Sequence, residues 1–449
     1  MTTGSKTNES NDRTVLEYSS IVLFDSTFED KAVGMPTQSM TVCGKKILRI
    51  LTMFKKSLAA VAVLGAFAGT ALAADVQLYG LVDYGFQYSE KDDGISKATH
   101  NFDMKSGINS ASRFGLKGVE DLGNGYKVGF VLENGFNADD GTLGNSDRLF
   151  DREAHLFVAS NWGQLGFGRV GQLASGNGTY GIFGGSVSPF STGWGNVYGH
   201  KSVMAGSFGR LDNSLTYKSP AFAGVTLFAQ YSFDNDSKAD NDTRKDGADK
   251  VVEGVQHGRE GSAAVDREYA LGATFNAGNL NLVGVVTQTN LASNWGSIAA
   301  NNDHGALVAE RADMDDPLTV SLGGNYDFGV AKLFVATQYF KDAKLNVGVL
   351  QSGQATTFDG YGLQVGVNVP AFGGNAKAAL GYMDGEDQSD AQKDMSRVNF
   401  SVGYDYPLSK RTFLYTGAGY MQDDYDVKVG TNDDSAHSWA VNAGLVHKF

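Results

Sequence analysis

Residues 437–449, the last segment of the chain, alternate between apolar and polar positions. Counting back by twos from Phe449, one parity is mostly apolar or aromatic and includes Leu445, Val441 and Trp439. The other parity is small or polar and includes Asn442. Because successive strand side chains point to opposite faces, the segment predicts a β-strand with one apolar face and one polar face.

The same alternation recurs upstream and predicts about sixteen strands, each near the roughly ten residues that a tilted strand needs to cross a bilayer. The predicted strands span residues 76–89, 102–119, 126–137, 149–160, 164–171, 213–218, 225–233, 268–276, 280–288, 318–327, 332–341, 358–370, 376–383, 397–406, 412–422 and 438–449. In hydrocarbon an unpaired sheet edge costs several kcal/mol per polar group, so the last strand must pair with the first. The pattern predicts an all-β fold, a 16-stranded antiparallel transmembrane β-barrel that closes at Phe449.

The connections between these strands fall into two classes of length. The short ones are rich in Gly, Asn and Pro, as hairpin turns are, and cover residues 121–125, 161–163, 220–224, 277–279, 328–330, 371–374 and 407–410. Long loops rich in Asp, Asn, Gly and Ser alternate with them, such as residues 234–266 and 289–316. Short periplasmic turns that alternate with long external loops are typical of transmembrane barrels, whereas a soluble sandwich has no reason to separate loop lengths in this way.

Residues 172–209 form a long connection that differs from the other loops. The segment is rich in Gly and aromatic residues and contains no Asp or Glu. A barrel of about sixteen strands leaves a channel too wide for side chains to fill, so a loop folded inward is expected to narrow it. We call this segment the constriction loop; its candidate site residues are Tyr180, Phe183, Phe190, Trp194, Tyr198, His200 and Lys201.

Composition agrees with a barrel and excludes other classes. The chain has 449 residues with 58 Gly and 6 Pro, and its formal net charge of −13 argues against nucleic-acid binding. The mean hydropathy of −0.22 does not exclude a membrane location, because a barrel averages lipid-facing with lumen-facing residues. The single cysteine, Cys43, leaves no disulfide framework.

The amino-terminal part of the chain predicts a secretory signal that starts at Met53. Two lysines, an apolar run and Ala71-Leu72-Ala73 identify residues 53–73 as a signal peptide, and a retained membrane anchor is the alternative. Residues 1–52 show no clean periodicity, so we expect an over-extended gene model with Met53 as the true initiator. Residues 74–449 then form the transmembrane barrel.

Several segments resemble the trimeric general diffusion porins of beta-proteobacteria: residues 112–137, 151–154, 163–169 and 212–220. The resemblance extends over residues 75–449. It implies an outer-membrane homotrimer of sixteen-stranded barrels, in which the third external loop folds into the lumen opposite a ladder of basic residues. It also implies partners, namely outer-membrane lipid and lipopolysaccharide, the barrel-assembly machinery acting on the C-terminal strand, and small hydrophilic solutes.

By motif position, the resemblance places the basic ladder at Arg113, Arg152 and Arg210. Strand parity independently puts Arg113 beside Lys117 and puts Arg210 on the polar face of its strand. The inward position of Arg152 depends on the resemblance alone. Arg169 falls on the same strand face as Leu165 and Phe167, which favours a position facing a neighbouring subunit.

Carboxylates and a further lysine share the polar faces with this ladder: Asp83, Glu133, Asp212 and Lys127. Arginines that line a narrow neck attract anions, while the carboxylates moderate the effect, so we expect a weak anion preference. The absence of acids from the constriction loop argues against cation selectivity. The alternative for each arginine is a structural ion pair on the barrel wall.

The sequence contains no convincing catalytic, cofactor or metal motif. Residues 176–181 match a dinucleotide fingerprint by letters but lack the βαβ unit, and the seven histidines include no pair at metal-ligand spacing. We therefore expect a passive diffusion pore rather than an enzyme. The alternatives are a substrate-selective channel, an adhesin or structural barrel with a plugged lumen, and an outer-membrane hydrolase.

The expected signal peptide generates a direct test. Amino-terminal sequencing of the protein purified from outer membranes should find a chain that begins at Ala74 or Asp75, because cleavage is expected after Ala73 or Ala74. Any residue before Met53 in the exported protein would contradict this interpretation.

Overall fold

The computed structural model describes residues 76–94, 97–145, 148–206, 208–237, 260, 265–291, 315–345, 357–388, 394–429 and 433–449. Several features of the sequence analysis lie outside these ranges: the expected over-extension at residues 1–52 with Cys43, the signal peptide at residues 53–73, and most of the two acidic loops. Within them, no helix is both long and apolar enough to span a membrane.

The described residues form one antiparallel sheet whose strands follow each other in chain order. The strands are β1 (Gln77–Asp92), β2 (Thr99–Ser106), β3 (Arg113–Gly123), β4 (Tyr126–Gly135), β5 (Glu153–Ser160), β6 (Gly163–Gly171), β7 (Arg210–Lys218), β8 (Val225–Ser232), β9 (Arg267–Ala277), β10 (Leu280–Asn290), β11 (Leu318–Asp327), β12 (Lys332–Ala343), β13 (Phe358–Ala371), β14 (Gly374–Asp387), β15 (Met395–Pro407), β16 (Thr412–Val429) and β17 (Asp433–Lys448). The constriction loop adds one α-helical turn, Gly184–Val187, and one 3-10 turn, His200–Val203.

The sheet closes on itself at β1. On one side β1 pairs with β17, from Leu81 opposite Lys448 to Asp92 opposite His437. The backbone N–H of Phe449 donates to the oxygen of Gly80 at 3.0 Å, and the N–H of Gly80 donates back at 3.2 Å. The last residue of the chain therefore takes part in the closing seam, and neither end strand has a free edge.

On its other side β1 pairs with two strands in succession, which reduces seventeen strands to sixteen barrel positions. Residues 84–91 of β1 pair with β2, and residues 77–81 pair with β3. The prediction of one continuous strand over residues 102–119 was wrong, because residues 107–112 leave the sheet between β2 and β3. The predicted sixteen-stranded antiparallel barrel is confirmed.

Side chains alternate along the strands between a buried inner face and an exposed outer face. In β12, Ala336 and Phe340 are fully buried, whereas Val335 and Tyr339 are 41% and 50% exposed. The final strand behaves as its pattern predicted, with Val441 exposed on the outer face. An apolar outer face is stable in contact with lipid, so the inner face is free to carry polar residues.

The constriction loop runs through the lumen and packs against the inner wall, as the sequence predicted. Three buried apolar clusters hold it. The first joins Leu173, Tyr180 and Phe183 to β8, β9, β10 and β12; the second joins Val203 and Ala205 to β12 through β15; the third joins Phe190, Trp194 and Tyr198 to β14, β16, β17 and β1. Full burial of a large apolar side chain stabilises a fold by about 1.5–3 kcal/mol, so the clusters fix the loop firmly.

Hydrogen bonds join the buried loop to the barrel wall. Tyr198 donates its hydroxyl to the oxygen of Ala440 in β17 at 3.1 Å and accepts from the Asn442 amide at 3.1 Å. The fully buried Arg397 guanidinium donates to the oxygen of Ser202 at 2.8 Å and pairs with Asp423 through two hydrogen bonds, of 2.5 and 2.7 Å. This arginine therefore connects the loop to two strands.

The buried pair gives a stability prediction. Replacing Asp423 by Asn should lower the free energy of unfolding by about 3–5 kcal/mol, because the Arg397 charge stays buried without its carboxylate partner. Denaturant titration of the barrel refolded in detergent micelles measures the change. The matched control is Asp327→Asn, which breaks an exposed pair with Lys332 (3.5 Å) and should cost at most about 1 kcal/mol. Equal losses in the two variants would contradict the role given to Arg397.

Candidate functional site

A cavity of about 870 Å³ remains in the lumen where the constriction loop does not meet the wall. Loop residues 176–179 and 189–194 line one side. The rest of the lining comes mainly from β1, β3, β4, residues 109–111 and single residues of β14 to β17. Charged side chains that face this cavity are Arg113, Lys117, Arg152, Lys377, Lys448, Glu133, Glu153 and Asp405. The cavity is therefore polar.

Two of the predicted ladder arginines converge on one carboxylate, Glu133. Arg152 Nε lies 2.6 Å from Oε1, and Arg113 Nε lies 3.6 Å from Oε2. Tyr79 donates its hydroxyl to the same carboxylate at 3.0 Å. Arg152 precedes β5, so strand parity does not apply to it, and its side chain borders the cavity.

A second group of arginines surrounds Asp212. Arg148 Nη1 lies 2.7 Å from the carboxylate, Arg169 Nη1 lies 2.5 Å from it, and Ser237 donates its hydroxyl at 2.9 Å. Arg148 also pairs with Asp236. Asp212 therefore holds the two arginines in place instead of facing the channel alone.

The outward position that parity favoured for Arg169 was wrong. The register between β6 and β7 shifts between Gly168 and Val170, which marks a β-bulge. Gly168 has φ +126°, a conformation that side chains of other residues rarely adopt. The extra residue of the bulge lies in β7, between Ser214 and Leu211, and next to it Asp212 pairs with Arg169.

Arg210 lies between the two groups. The charges that act on it include Arg152, Glu133 and Arg169. Its Nε and Nη2 atoms are buried and have no hydrogen-bond partner in the part of the chain that the structure describes. From Arg148 through Arg169, Arg210 and Arg152 to Arg113, basic side chains form a continuous series along the wall.

The carboxylates nearest to these arginines come from the wall, on the same side as the arginines. Glu153 accepts hydrogen bonds from the Thr179 backbone at 2.6 Å and from the Thr179 hydroxyl at 3.1 Å, so it also holds the constriction loop. The arrangement therefore differs from a basic wall that faces an acidic loop.

Of the other predicted pore residues, Lys117 borders the cavity, whereas Asp83 and Lys127 do not. Asp83 is fully buried and accepts hydrogen bonds from the Ser110 N–H (2.6 Å) and the Tyr415 hydroxyl (2.7 Å), so it does not face the channel. Lys127 lies exposed at the turn end of β4 and is not among the cavity-lining residues. Lys117 lines the cavity, with its ammonium 5.1 Å from the Tyr79 ring centre.

The candidate aromatic residues of the constriction loop pack against the barrel wall. Tyr180, Phe183, Tyr198 and His200 are fully buried against the wall, because apolar rings gain more from packing than from facing a wet lumen. Phe190 and Trp194 are almost completely buried and only border the cavity. The small residues of the loop face the open space instead.

His200 is fully buried in the constriction loop, and neither His200 nor Lys201 borders the cavity. The His200 ring lies edge-on against Phe183 and Phe208, with centroids 5.7 Å away in both cases. Burial lowers the pKa of His200 to about 3 and that of Lys201 to about 8. His200 is therefore neutral at physiological pH.

Sequence reasoning missed several residues of the site: Arg148, Glu153, Lys377, Asp405 and Lys448. Lys377 pairs with Asp405 and lies 5.2 Å from the Trp194 ring centre. Lys448 could have been found, because it has the polar parity of the last strand. No cluster of metal-ligating side chains occurs within the described ranges.

Comparison with known proteins gives the family. Residues 59–426 match the family of Gram-negative porins. An outer membrane porin protein of Bordetella pertussis is 33% identical over 427 residues, which cover 88% of this chain and 100% of the relative.

Two solved structures share the barrel fold. An anion-selective porin from Comamonas acidovorans superposes with a TM-score of 0.56 at 23% identity, over 84% of this chain and 100% of that one. OmpT of Vibrio cholerae in a trimer form gives a TM-score of 0.51 at 18% identity, over 84% of this chain and 100% of that one. At these identities the likeness establishes the fold. Because the family match and the Bordetella relative both extend over most of the sequence, this chain belongs to the Gram-negative porins and forms a porin channel in the outer membrane.

Proposed function

We propose that the channel conducts small hydrophilic solutes and ions by passive diffusion, through the space between the constriction loop and strands β1, β3 and β4. This proposal rests on the polar cavity of about 870 Å³ that lies beside the constriction loop. Its loop side is formed by small residues, including Gly176, Gly178, Ser191 and Gly193. Water and hydrated solutes can occupy such a surface without displacing a packed side chain.

We also propose a weak preference for anions. Five cationic side chains and three carboxylates line the cavity. The local excess of two positive charges is small, and the external loops carry acids that repel anions at low salt. A basic series along the wall also supports this direction, and the Comamonas protein of the same fold is described as anion-selective.

The arginines near Glu133 are proposed as the residues that set this preference. Arg113 and Arg152 border the cavity, and each also contacts Glu133. One carboxylate cannot neutralise two guanidinium groups, so the cluster keeps a net positive charge in the narrow part of the lumen. Arg210 extends the cluster towards the external side, while Lys117 and Lys448 extend it towards the short turns.

The protein is proposed to assemble as a homotrimer. The outer face near the seam carries exposed large apolar side chains, including Phe102 at 68% and Met104 at 51%, and Phe86 stacks on Phe102 at 6.0 Å. The family resemblance and the trimer form described for OmpT support this assembly. Outer-membrane lipid, lipopolysaccharide and the barrel-assembly machinery are proposed partners from the same resemblance.

Two alternatives predict different behaviour. A substrate-selective channel would show saturable current block by one class of solute. An adhesin or structural barrel with a plugged lumen would show no single-channel conductance. The open cavity favours a diffusion channel over a plugged barrel. The porin fold favours a channel over an enzyme.

Ion selectivity tests the proposed role of the arginines. Under a salt gradient in planar bilayers, the reversal potential of the native protein should indicate a weak anion preference. The double variant Arg113→Gln, Arg152→Gln should lower the anion-to-cation permeability ratio by about two-fold or more, because Glu133 then dominates the neck. Arg411→Gln, at an exposed turn, serves as the matched control and should leave the ratio unchanged. Clear cation selectivity of the native protein would contradict the proposal.

Single-channel recording tests both the pore and its assembly. Insertion of one native particle should give a conductance that closes in three equal steps, since each subunit of a trimer carries its own channel. Closure in one step would refute the trimer, and the complete absence of conductance would refute the open pore.

A further inference from the structure

We infer that the segment between β2 and β3 is a second wall of the channel neck and sets its width together with the constriction loop. We call this segment, residues 107–112, the inward bulge. The inference deepens the proposed function and rests on it. It adds specificity-determining residues that strand periodicity did not predict.

The inward bulge leaves the barrel wall towards the lumen. Ile108 is buried in the same apolar cluster as Trp194 and Tyr415, which lie on the lumen side of the wall. Asn109, Ser110 and Ala111 line the channel cavity. A segment that packed outward, into lipid, could make neither set of contacts.

Asp83 of β1 holds the bulge in this position. Its carboxylate accepts from the Ser110 N–H and from the Tyr415 hydroxyl, and its backbone oxygen accepts from the Gly107 N–H at 3.0 Å. The Ser112 hydroxyl accepts from the Asp83 N–H at 3.0 Å. Three of these hydrogen bonds join Asp83 to the bulge and replace the ladder pairing that the sheet loses at this point, while the bond from Tyr415 in β16 holds the carboxylate, so the bulge has a fixed conformation.

The bulge and the constriction loop meet in the lumen. A Cβ atom added at Gly193 would collide with the backbone oxygen of Asn109, so the two backbones touch and only glycine fits at this position. Trp194 follows directly and packs on Tyr415, with ring centres 5.4 Å apart. This contact fixes the loop against β16, at the border of the cavity.

The bulge also orients a ladder arginine. Arg113 Nη1 donates to the backbone oxygen of Ala111 at 3.1 Å, which directs the guanidinium along the cavity wall. Ala111 itself is exposed and faces the cavity. A change of size or charge at Ala111 therefore acts at the neck, beside Arg113, without entering a packed core.

A single introduced cysteine tests the inference on the folded channel. The expected mature chain, residues 74–449, contains no cysteine, so Ala111→Cys supplies a unique thiol. After single-channel conductance of the variant is recorded, a negatively charged methanethiosulfonate reagent (sulfonatoethyl) or a positively charged one (trimethylammonioethyl) is added. Each adduct should roughly halve the conductance, and the negative adduct should shift the reversal potential towards cations while the positive adduct shifts it towards anions.

Ala277→Cys is the matched control, because Ala277 is an exposed alanine at a short turn between β9 and β10. Its adducts should leave conductance and reversal potential unchanged, and mass spectrometry of both proteins confirms labelling. Full labelling at Ala111→Cys without an effect on the current would overturn the inference, as would a thiol that never reacts in the folded barrel. Absence of conductance in the native protein would instead refute the proposed function itself.

Discussion

Backbone hydrogen bonding in a medium without water is the constraint on which this structure depends. Every N–H and C=O group of a spanning segment needs a partner within the protein, and a closed antiparallel sheet supplies all of them. Here the seam at β1 completes the ring, with β17 on one side and the β2–β3 pair on the other. Closure at sixteen positions fixes the circumference, and the circumference in turn makes the lumen too wide for side chains alone to fill.

The constriction loop narrows the lumen. It fills one part with buried apolar side chains and leaves a polar cavity in another part. Against β8 through β17 it behaves like the core of a soluble protein, with fully buried side chains such as Tyr180, Phe183 and Tyr198. Elsewhere it presents small residues to the charged cavity. Arg113 and Arg152, which share Glu133, border this cavity.

Much of this architecture could be predicted from the sequence, and the errors have identifiable physical causes. Alternation predicted the faces of regular strands such as β8 and β17, and the acid-free composition of the loop predicted its inward path. Parity failed where the backbone is irregular: beside the bulge between β6 and β7, where Arg169 pairs with Asp212, and at residues 107–112, where the chain leaves the sheet. Composition could not tell which loop residues face water. The partnership of Glu153 with Thr179, for example, depends on contacts between segments 26 residues apart.

The bond between Tyr198 and β17 has a consequence for biogenesis. The tyrosine hydroxyl reaches the backbone of Ala440 and the amide of Asn442, both of which belong to the strand synthesised last. Tyr198 therefore gains both hydrogen bonds only after β17 has paired into the cylinder, whereas the packing of the loop against β8 to β15 does not require that strand. Anchoring of the loop is thus completed by the same step that closes the sheet.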